Sequence, residues 1–188
     1  MKTKFAIAIA SLAAATALSA PAFSQSMVVV GRSAAAGCYQ NAAMQQFDMA
    51  ALRDCNAAFD HNMMDRDTRA RTYVNRAVIL MNMGQPMSAL RDLEDAVGLG
   101  FDAPEIQLNF SAAYVRLNRP QEAIDAATAA IEAGLDHPER AYVNRAIAHE
   151  MMDNNRAAYQ DYLTALELDP DWTAVRRELD RFRVVNNS

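Results

Sequence analysis

Tyr73-Val74-Asn75-Arg76-Ala77 recurs letter for letter as Tyr142-Val143-Asn144-Arg145-Ala146, 69 residues further along the chain. Half of that interval is 34.5, so a middle copy with one inserted residue is expected. Frames beginning at Ala70, Pro104 and Glu139 accommodate all three copies. The eighth position then holds Ala77, Ser111 and Ala146, the twentieth Ala89, Ala123 and Ala158, and the twenty-seventh Ala96, Ala130 and Ala165. Small side chains at such places let two neighbouring helices cross closely. Larger residues fill the surrounding layer, Leu80 and Tyr114 at the eleventh position and Leu93 and Tyr162 at the twenty-fourth. Pro86 and Pro120 share the seventeenth position, where a second helix starts and a missing N–H costs nothing. Gly84 sits in the turn before it, and Gly98, Gly134 and Pro170 mark helix ends.

Each unit therefore reads as a helix-turn-helix of about 34 residues that cannot bury its apolar face alone, so that stacked units share one continuous core. The pattern resembles the tetratricopeptide repeat (TPR) family. The third copy is nearest, with Tyr142, Ala146, Ala158, Tyr162, Ala165 and Pro170 at the family's signature places. The second departs most, with Gln107 and Ser111 where an aromatic and a small apolar residue are usual. The resemblance implies an all-α protein, a right-handed α-solenoid with TPR 1 over 70–103, TPR 2 over 104–138 and TPR 3 over 139–172. Residues 31–69 read as a degenerate preceding hairpin and loop. Cys38, Ala50 and Ala57 fall at its eighth, twentieth and twenty-seventh positions, and the enlarged loop is placed at His61 to Asp67. Trp172, Val175, Leu179 and Phe182 follow helical spacing, which predicts a capping helix over 173–188.

A chain of 188 residues, 52% hydrophobic and 7% aromatic, suits a single domain with a sizeable core. Its 38 alanines against 6 Gly and 6 Pro lean to helices. With 22% charged residues it is no candidate for intrinsic disorder, and a formal charge of −5 argues against a nucleic-acid partner bound through phosphates. Lys2 and Lys4, the apolar run Phe5 to Leu18 and the small residues from Ser19 to Ser24 have the build of a secretory signal peptide over 1–24. An apolar run of about 14 is short for a membrane span, which needs ~20. Cleavage after Ala22 or after Ser24 fits, followed by an N-terminal extension over 25–30. The expected location is periplasmic or secreted, in the manner of exported bacterial members of the family. Once residues 1–24 are removed, no lysine remains, and 16 arginines face 23 acids. Schiff-base enzymes and phosphate-loop nucleotide binders are thereby excluded.

Only Cys38 and Cys55 are present, and an exported chain meets an oxidising compartment. Their midpoint falls between Gln46 and Phe47, just before Asp48. If that is a helical turn, the cysteines face each other and form a disulfide worth roughly 3 kcal/mol by chain entropy. A lipid-attachment cysteine would follow the apolar leader directly, whereas Arg32 and a long spacer intervene before Cys38. A catalytic thiol would want a positioned histidine, and His61, His137 and His149 are scattered, without metal-ligand spacing. No metal, no cofactor and no catalytic residues are expected. In the TPR family the first helices of successive repeats line a concave groove. Carried over by position, the resemblance assigns a peptide-binding groove to Arg71, Asn75, Glu105, Asn109, Arg116, Arg140 and Asn144. The asparagines share one position in all three units, and a ladder of carboxamides can grip an extended peptide backbone. The arginines are candidate carboxylate clamps, although Val74 stands where the family's clamp expects a lysine. Arg76 and Arg145 are read instead as ion-paired to acids on the second helices. The implied function is a non-catalytic interaction module of the cell envelope that binds a partner protein or extended peptide. The rival is a structural protein that self-associates, through the solenoid ends or through the apolar patch Met27–Val30, as a homo-oligomer.

Overall fold

Helix starts are written into the chain by capping chemistry. The computed structural model describes residues 4–9, 35–60 and 64–187. In the leading hairpin, α1 (Ala36–Ala43) has no side-chain cap, whereas α2 (Met49–Phe59) starts where Asp48 accepts from the Ala50 and Ala51 amides. At α3 (Arg66–Asn82), Asp65 accepts from the Thr68 amide at 2.8 Å and from its hydroxyl at 2.7 Å. Those bonds hold the Asp65 carboxyl below its ordinary pKa. Proline opens α4 (Pro86–Gly98), α5 (Pro104–Arg116) and α6 (Pro120–Glu132), where its fixed φ suits the first turn. The last unit holds α7 (Glu139–Met151) and α8 (Asn155–Leu168), and α9 (Thr173–Leu179) follows.

A common turn folds each first helix back against its second. The residue after the first helix's C-cap is left-handed in every pair: Gln45 (φ 56°), Gly84 (φ 75°), Asn118 (φ 57°) and Asp153 (φ 56°). Glycine adopts that conformation without cost, and asparagine and aspartate tolerate it better than other side chains. Within units α3 packs on α4, α5 on α6 and α7 on α8, and between units α4 meets α5 and α6 meets α7. This is the helical solenoid expected from the repeat. All nine small positions, Ala77, Ser111, Ala146, Ala89, Ala123, Ala158, Ala96, Ala130 and Ala165, are 0% exposed. Leu93 and Tyr162 fill the layer around them.

Three expectations are corrected. First, α3 begins at Arg66, so Arg66 and Asp67 belong to the helix rather than to an enlarged loop. Second, burial in α2 falls on Ala51 and Ala58, while Ala50 and Ala57 are exposed. The cause is a turn spanning 44–48, longer than 83–85 or 117–119, fixed by the Asp48 cap. Third, the capping helix stops at Leu179, and Phe182–Asn187 forms strand β2. It pairs antiparallel with β1 (Lys4–Ile9), Ile9 opposite Phe182 and Lys4 opposite Asn187, adding one two-stranded ladder to the helices. Phe182, Val184 and Val185 are residue types that favour strands. The cleavage sites at Ala22 and Ser24, the extension with Met27–Val30, His61 and Met63 lie outside the described residues.

The disulfide is present: Cys38 and Cys55 are joined with S–S 2.03 Å. Both cysteines are buried, together with Ala42 and Ala51, against Val78 and Ile79 of α3.

Candidate functional site

The first helices lie in sequence, α1 against α3, α3 against α5 and α5 against α7. Asn75, Asn109 and Asn144 stand at equivalent places on three of them, and all are 0% exposed. They are therefore not an open, solvated row. Asn144 Nδ2 donates to Ser111 Oγ at 2.9 Å across the α5–α7 contact, and Ser111 Oγ donates to Leu108 O at 2.7 Å. The Ser111 that departs from the family pattern is thus the partner of Asn144. Among the described residues, Asn144 Oδ1 is buried without a hydrogen-bond partner. A buried acceptor in that condition costs about 1–3 kcal/mol relative to a satisfied one.

The charged candidates divide by setting. Arg71 is half-buried: its Nε donates to Asp67 Oδ2 at 2.8 Å and its guanidinium lies 5.8 Å from the Phe101 ring centre. Glu105, in the first turn of α5, complements the positive end of the helix dipole. Arg140 is exposed near the start of α7, and Arg116 is half-buried at the end of α5. Burial pushes the Arg116 guanidinium below its ordinary pKa. Around them Val74, Val78, Met81, Leu108, Ala112 and Val143 are buried. Asn82 is exposed, and its Nδ2 donates to Val78 O at 2.8 Å. Glu150 is held by the C-terminal cap. Tyr162 Oη donates to Glu150 Oε1 at 2.7 Å, and Arg181 Nη2 reaches Glu150 Oε2 at 2.6 Å and Glu178 Oε2 at 2.8 Å. Burial and the Glu150 carboxylate push the Tyr162 phenol far above its ordinary pKa.

Arg76 and Arg145 do pair with second-helix acids. Arg76 Nε donates to Asp92 Oδ2 at 2.7 Å and Nη2 to Oδ1 at 2.8 Å. Arg145 makes the same fork with Asp161, 2.8 Å in both arms. That fork raises the Arg145 guanidinium against its desolvation. Each arginine also reaches into the preceding unit. Arg76 Nη1 donates to Asn56 Oδ1 at 2.8 Å, and Arg145 Nη1 to Thr128 Oγ1 at 3.0 Å. The sequence reading missed these second contacts, because Asn56 and Thr128 sit at unequal offsets in their units. The middle unit lacks the strut altogether, with Phe110 and Ala126 in place of arginine and aspartate. Beside the first strut lies a cleft of about 340 Å³ lined by Leu52, Asn56, Arg76, Leu80, Asp92 and Asp95.

Among the described residues no group of three or more His, Cys, Asp or Glu could hold a metal ion. No helix there is long and apolar enough to cross a membrane. No curated protein matches the sequence. Residues 139–171, the α7–α8 pair with its Arg145–Asp161 strut, match the family model described as Tetratricopeptide repeat, and this segment of the helical solenoid is a tetratricopeptide repeat.

Proposed function

We propose that this chain is a non-catalytic interaction module that binds an extended peptide or partner protein along the face formed by α3, α5 and α7. The observation that carries the reading is the tetratricopeptide repeat at 139–171 set in a series of like helix pairs, an architecture that presents long surfaces to protein partners. A preformed face binds with little reorganisation. Arg71, Glu105, Arg116 and Arg140 supply charge for specificity, while Asn75, Asn109 and Asn144 are buried beneath that face and hold the first helices in place. The cell envelope is the proposed location. Its supports are the composition of residues 1–24 and the disulfide, a bond that persists in oxidising compartments.

The test is partner capture from the envelope fraction by a photo-reactive side chain installed at Asn82, exposed on α3. Photochemistry is required because residues 25–188 contain no lysine for amine cross-linkers. The native protein is compared with a Glu105→Ala, Arg140→Ala variant. These two are preferred to the asparagines, whose burial makes any substitution a test of folding as well. Loss of the captured partner in the folded variant is expected. A partner set unchanged by the variant would overturn the assignment of this face, and capture of the chain by itself alone would favour the self-associating alternative.

A further inference from the structure

We propose that the Cys38–Cys55 disulfide is a redox latch that holds α1 over the leading edge of α3, and that a dithiol reductant releases α1 while leaving the helix pairs behind it folded. The argument begins with what α1 has to hold it. It is eight residues long, has no side-chain cap, and buries only Cys38 and Ala42. An isolated helix of that length is not stable in water. Beyond the disulfide, its ties to α2 are an exposed hydrogen bond from Asn41 Nδ2 to Asp54 Oδ2 at 2.8 Å and the packing of small side chains, Ala42 with Ala51 and Ala35 with Ala58, beside Tyr39. Its tie to α3 is packing, with Cys38 Sγ 3.9 Å from Thr72 O.

The second helix of the hairpin is differently secured. Phe59 lies against Tyr73, ring centres 4.4 Å apart, and under the Arg76 guanidinium at 4.4 Å. Asn56 accepts from Arg76. These contacts do not pass through the disulfide, so α2 stays docked when the bond is broken. The surface that α1 leaves includes Val78 and Ile79, buried now with the two cysteines. Release therefore turns a covered apolar strip of α3 into an exposed one, next to the face on which a partner would lie. The latch stands whether or not that face binds a peptide.

The chemistry is thiol–disulfide exchange. A thiolate of the dithiol attacks one cysteine sulfur, the S–S bond breaks, and the other cysteine leaves as thiolate and takes a proton. The second thiol of the reductant then displaces the first cysteine, so two electrons pass to the protein and the dithiol closes to its own disulfide. Both cysteines are 0% exposed, so attack waits on local opening of the hairpin.

The test is hydrogen–deuterium exchange on the protein with and without dithiothreitol, with thiol formation verified by mass. At least a tenfold loss of protection over 36–43 is expected, with α5 to α8 unchanged and increased binding of an apolar dye. A Cys38→Ala, Cys55→Ala variant should show the same exchange without reductant and no response to it. Retained protection over 36–43 in the reduced protein, or in the variant, would overturn the latch, as would loss of protection throughout the chain.

Discussion

Ser111 occupies a position that is alanine in the flanking units, yet its hydroxyl bridges Asn144 and the Leu108 carbonyl. Replacing it by the repeat's own preference should therefore harm this chain. Ser111→Ala leaves Asn144 Nδ2 buried without its acceptor, and a loss of about 1–3 kcal/mol in urea unfolding is expected. A neutral result would mean that Asn144 re-pairs on its own. His149 supplies a pH prediction. Burial lowers its pKa below the ordinary 6.5, against the pull of Asp161, 3.9 Å away. The unfolded chain then binds the proton more readily than the folded one, so stability is lost as pH falls from the ordinary 6.5 towards the lower folded value. An NMR titration of the imidazole should give a midpoint under 6.5, and His149→Gln should remove that part of the acid loss. A midpoint above 6.5 would mean that Asp161 outweighs burial.

At the scale of helices, two devices hold the units: alanines where helices cross, and arginine forks that pin second helices. Ala158 is fully buried at such a crossing, and Ala158→Leu should cost about 1–3 kcal/mol by forcing α7 and α8 apart. Thermal unfolding reads this directly, and an unchanged melting temperature would mean that the crossing has room to spare. The fork is tested by Arg145→Ala, which strands a nearly buried Asp161. Loss of about 3 kcal/mol is expected in chemical denaturation. Asp161→Asn in the same background should recover part of it by removing the uncompensated charge.

For the molecule as a whole, helix pairing was legible because nine small residues recur at three positions and all are buried. The pairing of Arg76 and Arg145 with second-helix acids was legible because both stand in the five-residue segment that recurs. What escaped lies where local chemistry overrides the period. Asp48 caps α2 and shifts its buried set by one residue, and the strand-favouring Phe182 to Val185 end the cap helix early. Exposure of the asparagines was not legible either, since position in a repeat does not say what covers it. The forks also skip a junction. They tie the leading hairpin to the first unit through Asn56 and the second unit to the third through Thr128. Between the first and second units an apolar cluster around Phe101, Ile106 and Phe110 makes the contact where the arginine would stand. Apolar contacts are non-directional, whereas even the single guanidinium hydrogen bond that crosses each of the other two junctions prefers one alignment. The expected consequence is that bending concentrates at that one junction, as in two arms joined by a softer spring, and a spin-label distance measured across it should spread more widely than one measured across the α6–α7 junction.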